Sequence, residues 1–585
     1  MLLTFLFSSI FVAFLLHLFS LTYYVILVYF LYWTYRLTTF YLNQKTLQGT
    51  VDLVLHERQE NFAKARKFAS TVSAEVKQKI KSLNYSELKK CLISREITCV
   101  ETLAAVIDAS LDCQDINAVN FFILESIAMA QEWDKRALQD DFEFPTLFGV
   151  PISVKDCLNV KGYPTTLGYV SRAVQKSGNY SIVVEKVMKN GAIPFCKTNV
   201  PQTLLSFDCK NPIFGATLNP HNKSRTPGGS SGGDAALVAA KASFAGIGSD
   251  VGGSIRIPAA FSGCVGIKPG GYRYSHMNST GSIPGRPYIE AAEGPLGQTV
   301  ESCVDILSTI IDSNTSEDDP YIAPVPWRKQ LFESTKKLRI GYFTTDGWFE
   351  PIPAVKRVVN ETVDLLKQNG HTLIEFQPPE IERAFGLTMG AITVDGNQYI
   401  LNNISNDILQ PEYIPFLAPF LLPYYFRLFL AYTVGMFIPR IHRLMTSIPG
   451  STSELRQVYA GIQDYRRQFV AAMKEKEIDL IIAPPNPGVA CRIGEPPKLN
   501  PMLSYTVLYN MLDFPAGVLP VGTVNEADIE KMEDYLVVDF WTKFFKQSMI
   551  AQDVKGLPLA IQVIGPPFSE EIVCRLMTEI NQYKN

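Results

Sequence analysis

Between residues 226 and 258 the chain concentrates serine and glycine as nowhere else, TPGGSSGGDAALVAAKASFAGIGSDVGGSIRIP. A serine oxygen attacks a carbonyl carbon once a base has taken its proton, and backbone N–H groups can hold the negative charge that then develops on the carbonyl oxygen. The stretch presents serines on two glycine knots. Ser230 and Ser231 sit within Gly228-Gly229-Ser230-Ser231-Gly232-Gly233, and Ser254 closes a second turn, Val251-Gly252-Gly253-Ser254. Glycine admits backbone angles closed to other residues and lets N–H groups approach a substrate. Between the knots, residues 234–243 form a small-residue run with helical character.

A flexible linker would be polar throughout, whereas here Ala, Leu, Val and Ile alternate with the knots in a way suited to a core. A phosphate loop is excluded because no Gly-Lys-Ser/Thr follows at the required spacing. The nucleophile elbow G-x-S-x-G is matched literally by residues 228–232. It needs a strand before it and a histidine base after it. Residues 219–227 read as loop, and the later histidines, His276, His371 and His442, stand in no recognisable catalytic setting.

The serine stretch resembles the signature of the amidase signature family, and Gly149-Val150-Pro151-Ile152-Ser153-Val154-Lys155-Asp156 resembles that family's lysine strand. Further blocks, residues 198–202, 206–209, 504–510 and 512–517, are similar to its lipid-amide-cleaving branch. The likeness runs from about residue 90 onward. It implies an α/β fold with a central twisted mixed sheet covered by helices. It also implies that Ser254 is the nucleophile, Ser230 the bridging serine and Lys155 the base, with no cofactor and no metal. Leu204, Ser230, Val251, Gly252, Gly253 and Ser254 would contact the substrate, the turn at 251–254 through an oxyanion hole. The family pattern is left at Leu205, where an aromatic is usual, and at Phe207, where a tyrosine is common. Both positions lie near the acyl pocket in relatives.

A lysine acts as a base only when neutral, and its ordinary pKa of about 10.4 forbids that at pH 7. Burial favours the uncharged amine, and the flank from Val150 to Val154 suits burial. Asp156 would oppose this if it pointed inward, but strand alternation sends it to the other face. Asp250 and Arg256 flank the second turn and read as an ion pair that holds its shape.

The elements that must position these groups follow from the rest of the chain. Its 585 residues, 47% hydrophobic and 19% charged, permit one large buried core. A net charge of −3 argues against a nucleic-acid partner, and ten scattered cysteines suggest neither a disulfide scaffold nor a zinc site. Short apolar strands at 147–154, 192–196, 338–343 and 480–483 alternate with helical segments such as 181–190 and 355–368, each ended by glycine.

Two apolar stretches stand apart. Residues 2–35 carry no acidic or basic side chain, and about 20 apolar residues suffice to span a bilayer. Arg36 and Lys45 follow, which predicts a single-pass anchor (1–35) with the remainder cytoplasmic, on an endomembrane. Residues 36–90 read as a charged helical linker, either a solvated helical face or a surface for anionic lipid, and 91–585 as the catalytic domain. Within it, residues 413–441 are apolar and aromatic but interrupted by Pro415, Pro419, Pro423 and Pro439. A continuous spanning helix is open to them, since membrane helices tolerate proline when neighbours compensate, but they better fit two short helices in a broken hairpin, laid on a membrane as a cap with Arg427, Arg440, His442 and Arg443 near headgroups, or else an internal helix pair. The resemblance places a hydrophobic cap here. The expected function is hydrolysis of fatty-acid amides, N-acylethanolamines and primary amides, through an acyl-enzyme. The alternatives are an amidase of small non-lipid amides and a catalytically silent membrane scaffold. The partners would be a lipid amide, membrane lipid and, in a homodimer, a second copy of the chain.

Overall fold

The computed structural model describes the backbone of residues 2–584 and, without interruption, the side chains of residues 41–584. Thirteen strands form among the described residues, β1 (Val119–Phe122), β2 (Pro151–Lys155), β3 (Ile193–Thr198), β4 (Lys210–Asn211), β5 (Gly215–Ala216), β6 (Ala245–Asp250), β7 (Val265–Lys268), β8 (Ala292–Gly297), β9 (Arg339–Tyr342), β10 (Thr372–Glu375), β11 (Leu480–Ala483), β12 (Ala516–Thr523) and β13 (Pro558–Ile564). Eleven of them make one sheet in the order β1-β3-β2-β6-β8-β7-β12-β13-β11-β9-β10, and β4 and β5 pair separately. Pairing is parallel for β3-β2-β6 and for β11-β9-β10, and antiparallel through the centre from β6 to β11. The mixed α/β sheet expected from alternating apolar runs is therefore present. Its inner strands β2, β3, β6, β7, β8, β11 and β13 are buried along their whole length, as a sheet covered on both faces requires.

The strand expected at 147–154 begins only at Pro151, because Gly149 turns the chain with φ +70° just before it. The helix expected at 234–243 runs from Gly232 to Ala239. It starts on the knot itself, where its first turn is free to meet the site.

The N-terminal helix α1 (Leu2–Ala69) docks its C-terminal part on the body. Asn61 accepts from the Phe122 N–H at 2.8 Å and donates to the Phe122 carbonyl at 2.9 Å, which satisfies backbone groups on the outer side of edge strand β1. Arg58 donates to Asn117 and to the Val119 carbonyl at 2.8 and 2.6 Å. The linker lysines meet acids of the body: Lys77 and Lys81 pair with Asp108, and Lys79 with Glu96. The linker's basic side chains at 77–81 thus belong to a paired helical face.

Among the described residues no single helix is long and apolar enough to cross a membrane. Most side chains of the expected anchor, residues 1–35, lie outside the described residues. The second apolar stretch is broken, as its prolines suggest. Pro411–Leu421 and Tyr424–Thr433 are together long and apolar enough to cross a membrane, and they bend by 99° at the break. Tyr425 (83%), Met436 (73%) and Phe437 (81%) stand exposed, which rules out an internal helix pair. The basic residues correct the expectation. Arg427 and Arg440 are buried, Arg427 donating to the Ile448 carbonyl at 2.8 Å and Arg440 bonding to the Trp348 carbonyl and Asp539. Arginines turned inward to satisfy backbone carbonyls fasten the hairpin to the body, while Arg443, half-buried, pairs with Glu382 at 3.0 Å and His442 lies 3.2 Å from the Ala431 carbonyl.

Candidate active site

Lys155 ends β2, between β3 and β6, and is fully buried. Its Nζ lies 2.8 Å from Ser230 Oγ, 2.9 Å from the Ser249 carbonyl and 3.0 Å from Ser249 Oγ. Burial pushes the Lys155 amine below the ordinary lysine range, against the raising pull of Cys157, Asp234 and Asp250. Strand alternation sorts the neighbours. Ser153, two residues back on the same face, donates to Asp234 at 2.6 Å, while Asp156 turns away to an ion pair with Lys197 at 3.3 Å and to Thr166. Asp234 also accepts from Thr198 at 2.8 Å, and burial raises it to about 6.

Ser230 is delivered by the first knot. Gly228 has φ +86°, and a Cβ there would lie 2.6 Å from Pro258 Cα, so the chain can pass only as glycine. Ser231 then donates its N–H to the Ser254 carbonyl at 3.0 Å, which stitches the two knots together. The second turn is held from inside by Asp250. Its carboxylate accepts from the Gly253 N–H at 2.7 Å, the Ile255 N–H at 3.1 Å and Arg256 Nε at 3.0 Å. Burial alone would raise Asp250, but the Arg256 guanidinium overrides it and holds the carboxylate well below its usual range. Asn510 joins the pair from a distant part of the chain, donating to Asp250 at 3.0 Å and accepting from Arg256 at 2.6 Å. Thr506 donates to the Gly252 carbonyl at 2.6 Å. Because the Gly253 N–H is donated to Asp250, the free N–H groups of the turn, among the described residues, are those of Val251, Gly252 and Ser254.

One cavity of about 310 Å³ collects these groups, with Leu204, Ser230, Ser249, Val251 and Ser254 on its wall. Lys155 stands behind Ser230, and Gly252 and Gly253 form the turn behind Ser254. The expected site residues thus converge, although no hydrogen bond joins the hydroxyls of Ser230 and Ser254. Leu204 is placed by a strained loop. Thr203 and Leu204 both have positive φ, 69° and 59°. The residue before them, Gln202, is anchored through its amide to Asp407 at 3.3 Å and the Ile408 carbonyl at 2.8 Å, and through its carbonyl to the Tyr413 hydroxyl at 3.0 Å. Buried Asp407 also caps the N–H groups of Val170 and Ser171 and accepts at its carbonyl from Gln44 of α1 at 2.9 Å.

Two participants escape the sequence reading. Ser249 supplies two of the three contacts to Lys155, and the one available signal was a polar residue after Gly-Ile-Gly, one position before the end of its strand. His276 also lines the cavity. It is not poised as a base: burial lowers it, but Glu293 outweighs this and raises it to about 9, with Nε2 at 2.5 Å from the Gly271 carbonyl. Among the described residues no cluster of His, Cys, Asp or Glu could hold a metal ion.

The family model described as "Amidase" matches residues 101–574. The chain is 41% identical over 547 residues to fatty acid amide hydrolase 1 of Caenorhabditis elegans, covering 92% of this chain and 95% of that protein. It is 38% identical over 441 residues to fatty-acid amide hydrolase 1 of Sus scrofa, covering 74% and 76%. A solved structure titled "Fatty acid amide hydrolase" superposes with a TM-score of 0.75 at 25% identity, covering 92% of this chain and 90% of that one.

Proposed function

We propose, on the premise that this chain belongs to the amidase family, that it hydrolyses fatty-acid amides by a Ser254-Ser230-Lys155 relay. The observation that carries the relay is Lys155 Nζ, buried and 2.8 Å from Ser230 Oγ, on the cavity that Ser254 lines. A neutral amine has two N–H groups and one lone pair. The Ser249 carbonyl can only accept, so it fixes one N–H. Ser249 Oγ takes the other, and the lone pair is left for the Ser230 hydroxyl. Ser230 in turn receives the proton of Ser254 as its oxygen attacks the amide carbon, a contact of the kind that tightens in the substrate complex. The oxyanion meets the N–H groups of Val251, Gly252 and Ser254. The proton then returns through Ser230 to the leaving nitrogen, and water releases the acid from Ser254.

The test is hydrolysis by the full chain in detergent of a long-chain primary amide, an N-acylethanolamine and acetamide. Release of fatty acid from the two lipid amides, with acetamide at least about tenfold poorer in kcat/KM, is expected from the loss of apolar contact at ~0.8 kcal/mol per CH₂. Equal preference for acetamide would replace this reading with that of a small-amide amidase.

The proposal extends to attachment. The N-terminal apolar stretch crosses an endomembrane once with the body on the cytoplasmic side, and the bent hairpin within residues 413–441 lies in one leaflet. The exposed Tyr425, Met436 and Phe437 support the second contact, since such side chains gain by entering the acyl region. Deleting residues 1–35 is expected to leave the protein sedimenting with membranes in cell fractionation. A wholly soluble truncated protein would remove the hairpin from the reading.

A further inference from the structure

Neutral Lys155 faces a choice that its own contacts do not decide. One N–H is fixed by the Ser249 carbonyl at 2.9 Å, and Ser231 pins that peptide from the other side, donating to the same carbonyl at 3.3 Å and accepting from the Ser249 N–H at 3.3 Å. What remains is one N–H and one lone pair, facing two hydroxyls at nearly equal range, Ser230 Oγ at 2.8 Å and Ser249 Oγ at 3.0 Å. Only with the lone pair toward Ser230 can the amine take the proton that Ser230 passes on. The opposite arrangement, with Ser249 donating into the lone pair, aims an N–H at Ser230 and stops the relay.

A third group separates the two hydroxyls. Cys157 lies two residues past Lys155, held by a turn in which its N–H donates to the Lys155 carbonyl at 2.8 Å, while its own carbonyl accepts from the Thr280 N–H at 3.0 Å. Its Sγ is 3.2 Å from Ser249 Oγ, and the side chain is buried on the wall of the cavity. Ser230 Oγ, buried as well, has no hydrogen-bond partner except Lys155 Nζ among the described residues. The Ser249 proton therefore has somewhere else to go, and the Ser230 proton has not.

The two arrangements differ in what they leave unbonded. With Ser249 donating to sulfur, the idle group is the thiol proton, a weak donor that costs little to leave unpaired. With Ser249 donating to nitrogen, the idle group is the buried Ser230 hydroxyl, which then loses its water without gaining an acceptor. Burial also pushes the Cys157 thiol above its ordinary range, so it stays a thiol and does not hold Lys155 charged as a thiolate would.

We propose that Cys157 is a positioning residue: by accepting from the Ser249 hydroxyl it makes Ser249 Oγ an acceptor for Lys155 and reserves the lone pair of the amine for Ser230. This rests on the Ser254-Ser230-Lys155 reading above. No bond to Cys157 is made or broken in the reaction. The proton still runs from Ser254 through Ser230 to Lys155 and back, and the sulfur sets only which way the amine faces when that transfer begins.

Oleamide hydrolysis by the full chain in detergent tests this through a double-mutant cycle. Cys157→Ala, and Cys157→Val, which fills the space without offering an acceptor, are each expected to lower kcat by about 3- to 10-fold, the scale of one modest hydrogen bond, with KM unchanged. Ser249→Ala is expected to lower kcat by itself and to make residue 157 indifferent. In that background Cys157→Ala should change kcat by less than about twofold, since no hydroxyl is left to misdirect. Thermal unfolding of each variant checks that the fold is kept. An equal loss in both backgrounds would make Cys157 a packing residue and overturn the proposal, as would full turnover in Cys157→Val or a loss that falls on KM. Wild-type amide hydrolysis in Lys155→Ala would instead bring down the relay reading, and this inference with it. A relay upheld by Lys155→Ala alongside an indifferent Cys157 would sink the inference alone.

Discussion

Ser254→Ala protein is expected to lose amide hydrolysis by about 10⁶-fold, the scale seen when a hydrolase nucleophile is removed, and to take up no fluorophosphonate probe. It should remain folded. The turn that carries residue 254 is held by Asp250 through the Gly253 and Ile255 N–H groups and by Thr506 through the Gly252 carbonyl, none of which involves the Ser254 hydroxyl. Its backbone carbonyl, which accepts from Ser231, survives the substitution as well. The measurement pairs probe labelling and turnover with thermal unfolding of both proteins. Persistent labelling of the variant at another serine, with ordinary turnover, would transfer the nucleophile elsewhere, and Ser230 or Ser231 would be the first to examine.

Lys155→Ala is expected to cost about 10²- to 10⁴-fold in amide hydrolysis, the usual range for general acid–base work. The loss for a matched ester should be smaller. An amine is a poor leaving group and needs the proton that returns from Lys155 through Ser230, whereas an alcohol leaves more readily. The pH dependence has a definite sign. Burial lowers the amine's pKa, and the active form is neutral, so wild-type activity should rise as pH climbs through that depressed value and then level off. The variant has no such group. Its residual activity should lack the plateau and keep rising as hydroxide takes over. An unaltered amide-to-ester preference, or the same plateau in the variant, would remove Lys155 from the relay. Because the Lys155 amine also bonds the Ser249 carbonyl, a Lys155→Met protein of similar length should accompany it, to separate lost chemistry from a collapsed cavity.

The glycine knots were legible because steric limits leave few alternatives. Gly228 at φ +86° and Gly253 at φ +124° tolerate no side chain, so the sequence had to declare them. Short strands were legible where an apolar run is bounded by turns, as at Leu480–Ala483, which the structure reproduces residue for residue. The Asp250–Arg256 pair was legible through its closeness in sequence, but Asn510, which completes it, comes from 254 residues beyond Arg256 and carries no local mark. Ser249 is one serine among many until β6 lays it beside β2. The direction of an arginine is equally hidden: Arg440 sits in an aromatic, membrane-like stretch, and its burial depends on a carbonyl at Trp348 that no spacing could announce. The sheet order belongs to the same class, since β8 lies between β6 and β7 for reasons of packing over the whole core.

Asp407 has a consequence for how the molecule can move. Its side chain holds the Val170 and Ser171 amides and Gln202, its main-chain oxygen holds Gln44 of α1, and the bent hairpin begins four residues later at Pro411. Tyr413, inside that hairpin, grips the Gln202 carbonyl from the other side. Four segments distant in sequence therefore share one pivot, and Leu204 is the nearby point where that pivot meets the cavity beside Ser254. The tilt of the hairpin, the seating of the long helix and the width of the cavity beside Leu204 are geared together, so none of the three can be reset while the other two stay where they are.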